Sequence, residues 1–179
     1  KVLYLSPQCN TGDIVHQKVA RSFSNCLFKS TYELTETKAV QIRKKAREIF
    51  EKLKQPKDIL PLYHNGIRIG TSVYDSYMKY KHASVWQLDD RVCNLIEDAI
   101  RNIEAINLLK EEYEVVAGFS THIIGSYYGI LCRSLLKDEI PVYSNGSGLG
   151  ALHCYNRISD PSGDLIYPLN IPKYLFNEI

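Results

Sequence analysis

A strand–helix–strand pattern between residues 113 and 144 constrains the fold of this chain more than any other feature. The apolar segment YEVVAGF (113–119) precedes a helical pattern in IIGSYYGILCRSLLKDE (123–139), and IPVYS (140–144) follows as a second apolar segment. A connection of this length is too long for a hairpin, so the two strands are expected to pair in parallel with the helix packed on their sheet. The pattern predicts an α/β fold.

The segments before this unit also alternate between strand and helix patterns. VLYLSP (2–7) is a short apolar run that ends at a proline, and LPLYHNGIRIG (60–70) indicates a strand or strand pair around Asn65-Gly66. Short apolar strands between helices predict a single Rossmann-like layered domain over residues 1–179, with a mostly parallel sheet flanked by helices. The predicted helices run from Asp13 to about Leu27, from about Glu36 to Gln55, from about Ser72, and from Asp89 or Asp90 onward.

Composition excludes several classes of protein. The 22 basic and 20 acidic residues leave a net charge of +2, which offers no electrostatic argument for nucleic acid as a partner. The five cysteines are an odd number without a C-x-x-C pair, which argues against a disulfide framework or a structural zinc site and fits a reducing compartment. Since no apolar run approaches the ~18 residues that a membrane helix needs, we expect a cytoplasmic protein.

His122 is the first candidate for a functional residue. It follows the strand predicted at YEVVAGF, and ligands of parallel sheets bind at the carboxyl ends of the strands. Imidazole titrates near neutral pH, so His122 is a candidate general base; the alternative is a structural histidine bonded to nearby backbone. Gly125 lets backbone approach a ligand. Tyr127 and Tyr128 offer flat faces suited to sugar rings, although tyrosines on a helix are as often part of a core.

A second polar group lies in HNGIRIGTSVYDSY (64–77). Arg68 is suited to clamp a carboxylate or a phosphate through two hydrogen bonds, with His64 beside it. Asp75, on the helix that follows, is suited to orient Arg68 or to act as a base. An ordinary surface salt bridge explains the same residues without a function, and the sequence leaves both interpretations open.

The segment NGSGLGA (145–151) matches the G-x-G-x-x-G/A dinucleotide fingerprint through Gly146, Gly148 and Ala151. The glycines of that motif let a pyrophosphate approach the backbone at a helix N-terminus. The helix predicted to follow, ALHCYNRI (151–158), lasts only about two turns before SDPSG breaks it. A surface loop is therefore favoured over a cofactor loop, and a glycine-rich wall of a binding cleft is the third interpretation.

Three segments at a recognisable spacing, LYHNGIRIGTSVYDSYMKY, LDDRVCNLIEDAI and VVAGFSTHIIGSYYGILCRSLLKDEIPVYS, carry a resemblance to a family. Together they resemble the N-terminal half of the GT-B-type glycosyltransferases that make bacterial capsule and lipopolysaccharide. The likeness covers about residues 60 to 145. The matching positions are Gly66, Ile67, Ile69, Gly70, Tyr74, Asp75, Tyr77, His122, Gly129, Arg133, Ile140, Pro141, Val142 and Tyr143.

This resemblance implies a metal-independent transfer of sugar, without a cofactor, between two Rossmann-like halves. The chain would be the acceptor half, and a missing C-terminal half would bind the nucleotide-sugar donor. His122 would deprotonate the acceptor hydroxyl, with Asp75 as the competing base. The acceptor would be a carbohydrate, often lipid-linked in such enzymes, so attachment at the inner face of the membrane stays open. The residues expected to bind substrate are His64, Arg68, Tyr127, Tyr128, Arg133, Gly146 and Gly148.

Two other functions remain as alternatives. A dinucleotide-dependent oxidoreductase would use the GSGLGA loop, and it predicts that this chain alone binds the cofactor. A non-catalytic module would bind carbohydrate or a partner protein through its tyrosine-rich surface, and it predicts that substitution of His122 leaves every transfer activity unchanged.

Overall fold

The fold is that of a mixed α/β protein, as the alternating pattern predicts. The structure is a computed structural model, and it describes residues 2–6, 26–30, 34–81, 87–120, 122–144, 153–156 and 158. Its strands are β1 (Val2–Ser6), β2 (Cys26–Ser30), β3 (Tyr63–His64), β4 (Ile67–Arg68), β5 (Gly118–Ser120), β6 (Val142–Ser144) and β7 (His153–Tyr155). Its helices are α1 (Glu36–Phe50), a 3-10 helix (Pro56–Ile59), α2 (Gly70–Lys81), α3 (Asp90–Glu112), a π-helical turn (Gly125–Gly129) and α4 (Ile130–Leu136).

The strand–helix–strand unit forms as predicted. β5 and β6 pair in parallel, with Gly118 opposite Val142 and Ser120 opposite Ser144, and the π-helical turn and α4 connect them. The first strand is shorter than expected, because residues 114–117 lie before it without regular structure. β7 then pairs antiparallel with β6, so this sheet has three strands of mixed direction.

The other described strands form two small sheets. β1 and β2 pair in parallel, while β3 and β4 form an antiparallel hairpin. Asn65 and Gly66 connect the hairpin with positive φ angles of 49° and 74°, the conformation that a two-residue Asn-Gly turn requires. The strand pair predicted around this dipeptide is therefore confirmed.

Two helix predictions are wrong where short apolar runs turn out to be strands. The helix predicted to reach Leu27 fails at its end, since Cys26–Ser30 forms β2; residues 7–25 lie outside the described part of the chain. The helix predicted at 151–158 fails because His153–Tyr155 is β7. A run this short has no period of its own, so the partner strands β1 and β6 decide its structure.

The predicted starts of α1, α2 and α3 agree with the structure within about two residues. Thr35 caps α1, and Asp89 caps α3 by accepting a hydrogen bond from the Arg91 amide at 3.1 Å. α1 ends at Phe50 instead of Gln55, because the amides of residues 54 and 55 donate to the Asp58 carboxylate of the 3-10 helix instead.

The long helix α3 joins two hydrophobic cores. Its first half packs with α1 and α2, and its last turns pack with α4 and β6. Ile130, directly after the π-helical turn, belongs to the first core, and Ile123, shortly before the turn, belongs to the second. The first core includes Ile42, Ile59, Ile69, Val73, Tyr77, Ile96, Ile100 and Ile103; the second includes Ile106, Leu109, Ile123, Leu136 and Val142.

Candidate functional site

His122 lies two residues beyond the carboxyl end of β5, and its side chain is exposed. The hydroxyl of Ser120 donates to the His122 carbonyl at 2.5 Å and accepts from the His122 amide at 3.3 Å. This local pair fixes the backbone of His122 where the strand ends. The sequence prediction that His122 stands at the carboxyl end of a parallel strand is confirmed by the pairing of β5 with β6.

Two tyrosines continue the surface that begins at His122. The rings of His122 and Tyr128 meet edge to face with centroids 5.6 Å apart, and Tyr127 meets Tyr128 in the same way at 4.9 Å. Tyr128 keeps 41% of its surface exposed. These three residues form what we call the aromatic edge, an imidazole beside two phenol rings at the carboxyl end of a parallel strand pair.

The π-helical turn carries both tyrosines, and side chains from two other helices hold it. The Ser126 amide donates to the hydroxyl of Ser76 on α2 at 2.7 Å. The Ser126 carbonyl accepts from the side-chain amide of Asn102 on α3 at 3.0 Å. Gly125 has a φ of 81°, and a Cβ there would stand 3.2 Å from the Ser76 hydroxyl. The turn therefore needs glycine both for its backbone angle and for the approach of Ser76.

Arg133 lies below the same turn and is buried. Its Nη1 donates to the hydroxyl of Ser72 on α2 at 2.9 Å. A Cβ on Gly129 would stand 2.8 Å from that same Nη1 atom, so the guanidinium packs directly against the glycine backbone. The sequence predicts that Arg133 binds substrate, and the structure places it as a link between α2 and α4, which leaves that role a prediction.

The second polar group predicted from sequence is divided in the structure. Asp75 is exposed on α2. Its neighbour in sequence, Ser76, contacts the π-helical turn. His64 lies instead in the β3–β4 hairpin, which meets the other end of α4, where Lys137 donates to the Asn65 carbonyl at 2.7 Å. A helix rises about 1.5 Å per residue, so roughly 12 Å of chain separate this end from Gly129.

His64 belongs to a separate charged cluster around Glu104 of α3. The Glu104 carboxylate accepts from Lys38 at 2.7 Å and from the Asn65 side chain at 3.2 Å, and it stands 3.5 Å from Nε2 of His64. Burial lowers the pKa of His64, because the imidazolium would lose hydration, although Glu104 opposes the shift. Burial by itself raises the pKa of Glu104, but the contacts with Lys38 and His64 together outweigh it, and the net shift is downward.

The Arg68 side chain makes a structural contact in the same hairpin. Its Nε donates to the Leu60 carbonyl at 3.1 Å, which ties β4 to the end of the 3-10 helix. Binding of substrate by Arg68 and His64 stays a prediction, and the structure does not bring these residues to the aromatic edge.

The three-stranded sheet adds residues that sequence reasoning missed. Strand register places Ser120 opposite Ser144 and Ser144 opposite His153, so the three side chains form a row on one face at the carboxyl end of β5 and β6. Only the antiparallel pairing of β7 brings His153 there, and no local pattern signals that pairing. Ser76 and Asn102 were missed for the same reason, since their contacts with Ser126 span 50 and 24 residues.

The predicted substrate-binding residues Gly146 and Gly148 lie outside the described residues. The next described element after them is the strand β7. A dinucleotide fingerprint needs a helix N-terminus directly after its glycines, where the backbone amides meet the pyrophosphate. The surroundings of NGSGLGA therefore do not fit that motif.

The thiol nearest to His122 is unsuited to be a nucleophile. Cys132 lies on α4 with its sulfur 3.8 Å from the His122 carbonyl, and burial raises the pKa of this thiol to about 11. A thiol with that pKa is almost entirely protonated at neutral pH. His122, which follows the end of β5, is exposed to solvent, whereas this thiol is buried.

Within the described residues, no group of three or more His, Cys, Asp or Glu side chains could hold a metal ion. In the same part of the chain, no helix has both the length and the apolar character needed to cross a membrane. Comparison of the chain with protein-family models, with curated proteins and with solved structures finds no match. The resemblance to surface-carbohydrate glycosyltransferases accordingly rests on the residues quoted above and stays a prediction.

Proposed function

We propose that the chain is the acceptor side of a GT-B-type glycosyltransferase that acts in the cytoplasm on a bacterial surface-carbohydrate acceptor. The observation that carries the proposal is the exposed imidazole of His122 in edge contact with Tyr128, at the carboxyl end of the parallel pair β5–β6. Ligands of parallel sheets bind at such strand ends. In this proposal the parallel pairs β1–β2 and β5–β6 belong to one Rossmann-like layered domain.

The aromatic edge has the chemistry that a sugar acceptor needs. The apolar face of a pyranose ring packs on an exposed aromatic ring such as Tyr128, which leaves the hydroxyls at the rim of the sugar free to form hydrogen bonds. The imidazole of His122 stands beside that ring, within reach of one such hydroxyl. Asp75, on the neighbouring helix α2, is the second candidate base in the proposal.

The proposed reaction is a direct displacement at the anomeric carbon of the donor. The acceptor oxygen forms the new bond to that carbon, and the bond from carbon to the phosphate oxygen breaks. The nucleotide leaves with the electron pair, and the proton of the acceptor hydroxyl passes to the imidazole of His122, which acts as the general base. The donor nucleotide would be held by a partner half, so the protein at its natural length is the form to assay.

The decisive experiment measures transfer of labelled sugar from UDP-, GDP- and CMP-sugars to lipid-linked acceptors by the protein at its natural length. His122→Ala is expected to lower the rate ~10²-fold or more, because a general base contributes that much. Val40→Ala, an exposed apolar position on α1, serves as the control that retains the rate. Full activity of His122→Ala would remove His122 as the base and shift the test to Asp75→Asn.

The two alternatives make different predictions in the same material. Nuclear magnetic resonance of the chain with NAD, NADP or FAD would show shifts at residues 145–152 if the chain were an oxidoreductase. The strand β7, the next described element after these residues, argues against it. Sugar binding at the aromatic edge without transfer from any donor would favour the non-catalytic module.

A further inference from the structure

The backbone of Ser126 is held at both of its polar groups by side chains that come from elsewhere in the chain. The hydroxyl of Ser76 accepts from the Ser126 amide at 2.7 Å and also lies 3.1 Å from the Ser126 hydroxyl. Asn102 donates its side-chain amide to the Ser126 carbonyl at 3.0 Å. The amides in the first turn of a helix have no partner within that helix, so an outside acceptor such as Ser76 satisfies one of them.

Both supporting residues are buried between helices, where apolar side chains are the usual choice. Ser76 is 8% exposed and Asn102 is 4% exposed. Burying a hydroxyl and an amide costs free energy unless each is hydrogen-bonded, and here the bonds go to a surface turn and not to a neighbour in the same helix. The position of the turn therefore depends on two polar side chains from α2 and α3.

Tyr127 and Tyr128 directly follow Ser126, so the position of the Ser126 backbone determines the backbone positions from which both tyrosine side chains extend. The turn is π-helical, with the Gly129 amide donating to the Ile124 carbonyl at 3.2 Å. A regular α-helical turn would rotate each following residue by a different angle about the axis and move Tyr128 relative to His122. The edge contact between His122 and Tyr128 is thus made with this wider turn in place.

We propose that Ser76 and Asn102 are positioning residues that hold the π-helical turn so that Tyr128 stays against His122. The proposal rests on the proposed function in one respect: it takes the aromatic edge, which these two residues position, to be the sugar-binding surface. Ser76 and Asn102 hydrogen-bond to Ser126, the residue that precedes both tyrosines. Their effect passes through the backbone of Ser126, and it concerns the geometry of binding and not the proton transfer.

The test compares Ser76→Ala with Ser134→Ala by nuclear magnetic resonance of the chain without any ligand. Ser134 is an equally small buried serine, but its hydroxyl donates to Ile130 within α4 at 2.7 Å. Ser76→Ala is expected to abolish the nuclear Overhauser contact between the His122 and Tyr128 rings, with a shift of the His122 ring protons. Ser134→Ala is expected to retain both signals, although it too loses a buried hydrogen bond.

A second pair of variants distinguishes a specific loss of the ring contact from general unfolding of the chain. Asn102→Leu keeps a similar volume but removes the donor to Ser126, and it should reproduce the loss of the ring contact. Ser76→Thr restores a hydroxyl at this position and should restore the contact. An unchanged ring contact in both Ser76→Ala and Asn102→Leu would overturn the proposal, as would its equal loss in Ser134→Ala.

Sugar binding provides the readout that joins this inference to the proposed function. Titration with methyl glycosides should show affinity reduced about two- to tenfold in Ser76→Ala, the effect of one lost hydrogen bond of ordinary strength. If the ring contact is lost but no glycoside binds the unaltered chain at all, the positioning role stands and the glycosyltransferase proposal fails. If glycosides bind equally well to both proteins, the assignment of Ser76 to the binding surface fails.

Discussion

The guanidinium of Arg133 donates from Nη1 to the Ser72 hydroxyl at 2.9 Å while it packs beneath the backbone of Gly129. Both partners are buried, with Arg133 at 4% and Ser72 at 1% exposure. The bond joins α2 to α4, the helix that continues the π-helical turn. A buried cationic group needs its acceptors, so this contact is expected to matter more than a surface hydrogen bond of the same length.

Ser72→Ala should therefore lower the free energy of unfolding by about 1.5–3 kcal/mol, the range for hydrogen bonds to charged groups. Urea denaturation with a constant m-value is the measurement. Ser134→Ala is the matched control, and it should cost less, because a serine bonded to the carbonyl four residues earlier in its own helix contributes little. Equal losses of unfolding free energy in the two variants would show that the contact with Arg133 contributes no more to stability than the hydrogen bond of Ser134.

Gly129→Ala tests the close packing between the π-helical turn and Arg133. Gly129 has helical angles of φ −62° and ψ −39°, so by backbone preference alone alanine should stabilise the protein by about 1 kcal/mol. Its Cβ, however, would stand 2.8 Å from Nη1 of Arg133 and 3.0 Å from the Ile123 carbonyl oxygen.

The carbonyl belongs to the backbone and cannot move without the chain, so we expect the steric term to win. The net effect should be a loss of about 1–3 kcal/mol, seen as a lower midpoint in thermal or urea unfolding. A gain in stability would mean that the guanidinium moves away at little cost in free energy. That result would contradict the close packing of Arg133 against Gly129 inferred from the structure.

Local sequence signals predicted the parts of the fold that depend on near neighbours. The Asn65-Gly66 turn, the Asp89 cap and the parallel pairing of β5 with β6 all follow from turn chemistry, capping and connection length. The strands at Cys26–Ser30 and His153–Tyr155 could not be predicted in this way. A run of three to five residues takes its structure from the strand beside it, and that partner lies elsewhere in the sequence.

In the candidate site, too, local sequence signals predicted some residues, and contacts with distant parts of the chain decided the rest. His122 and the two tyrosines were predicted because they follow a strand with a clear apolar pattern. The π-helical turn itself was not predicted, because the side chains that bind its Ser126 come from other helices, namely Ser76 and Asn102. His64 and Arg68 were grouped with Asp75 because they are close in sequence. In the structure, however, His64 and Arg68 lie in the hairpin and make contacts there, whereas Asp75 lies on α2.

The cluster around Glu104 should make stability depend on pH below neutrality. Burial lowers the pKa of His64 in the folded chain, while the unfolded chain binds that proton at a pH of about 6.5. Below that pH the unfolded state binds more protons, so the free energy of unfolding falls until the pH passes the folded pKa. Charges facing His64 come from Glu104 on α3 and from Lys38 and Lys45 on α1.

His64→Gln removes this titration and should flatten stability between about pH 7 and pH 5. The lowered pKa of Glu104 acts in the same direction but at lower pH, where its carboxylate becomes protonated and the contact with Lys38 is lost. Urea denaturation at pH 7.5, 6.5 and 5.5 measures the two curves. Parallel curves for the variant and the unaltered chain would exclude His64 as the source of acid sensitivity.

Tyr128 is the residue on which the proposed sugar surface depends most directly. Tyr128→Ala removes the ring that faces both His122 and Tyr127, and it should weaken binding of methyl glycosides by about fivefold, since an aromatic contact contributes on the order of 1 kcal/mol. Tyr128→Phe keeps the face of the ring and should retain most of the affinity.

Tyr63→Ala is the matched control. Tyr63 is another exposed tyrosine, at 54%, and it lies in the β3–β4 hairpin, which contacts the far end of α4. Titration followed by nuclear magnetic resonance gives all three affinities under one condition. If Tyr63→Ala weakens binding as much as Tyr128→Ala, the sugar does not sit on the aromatic edge, and the site must be sought at the hairpin instead.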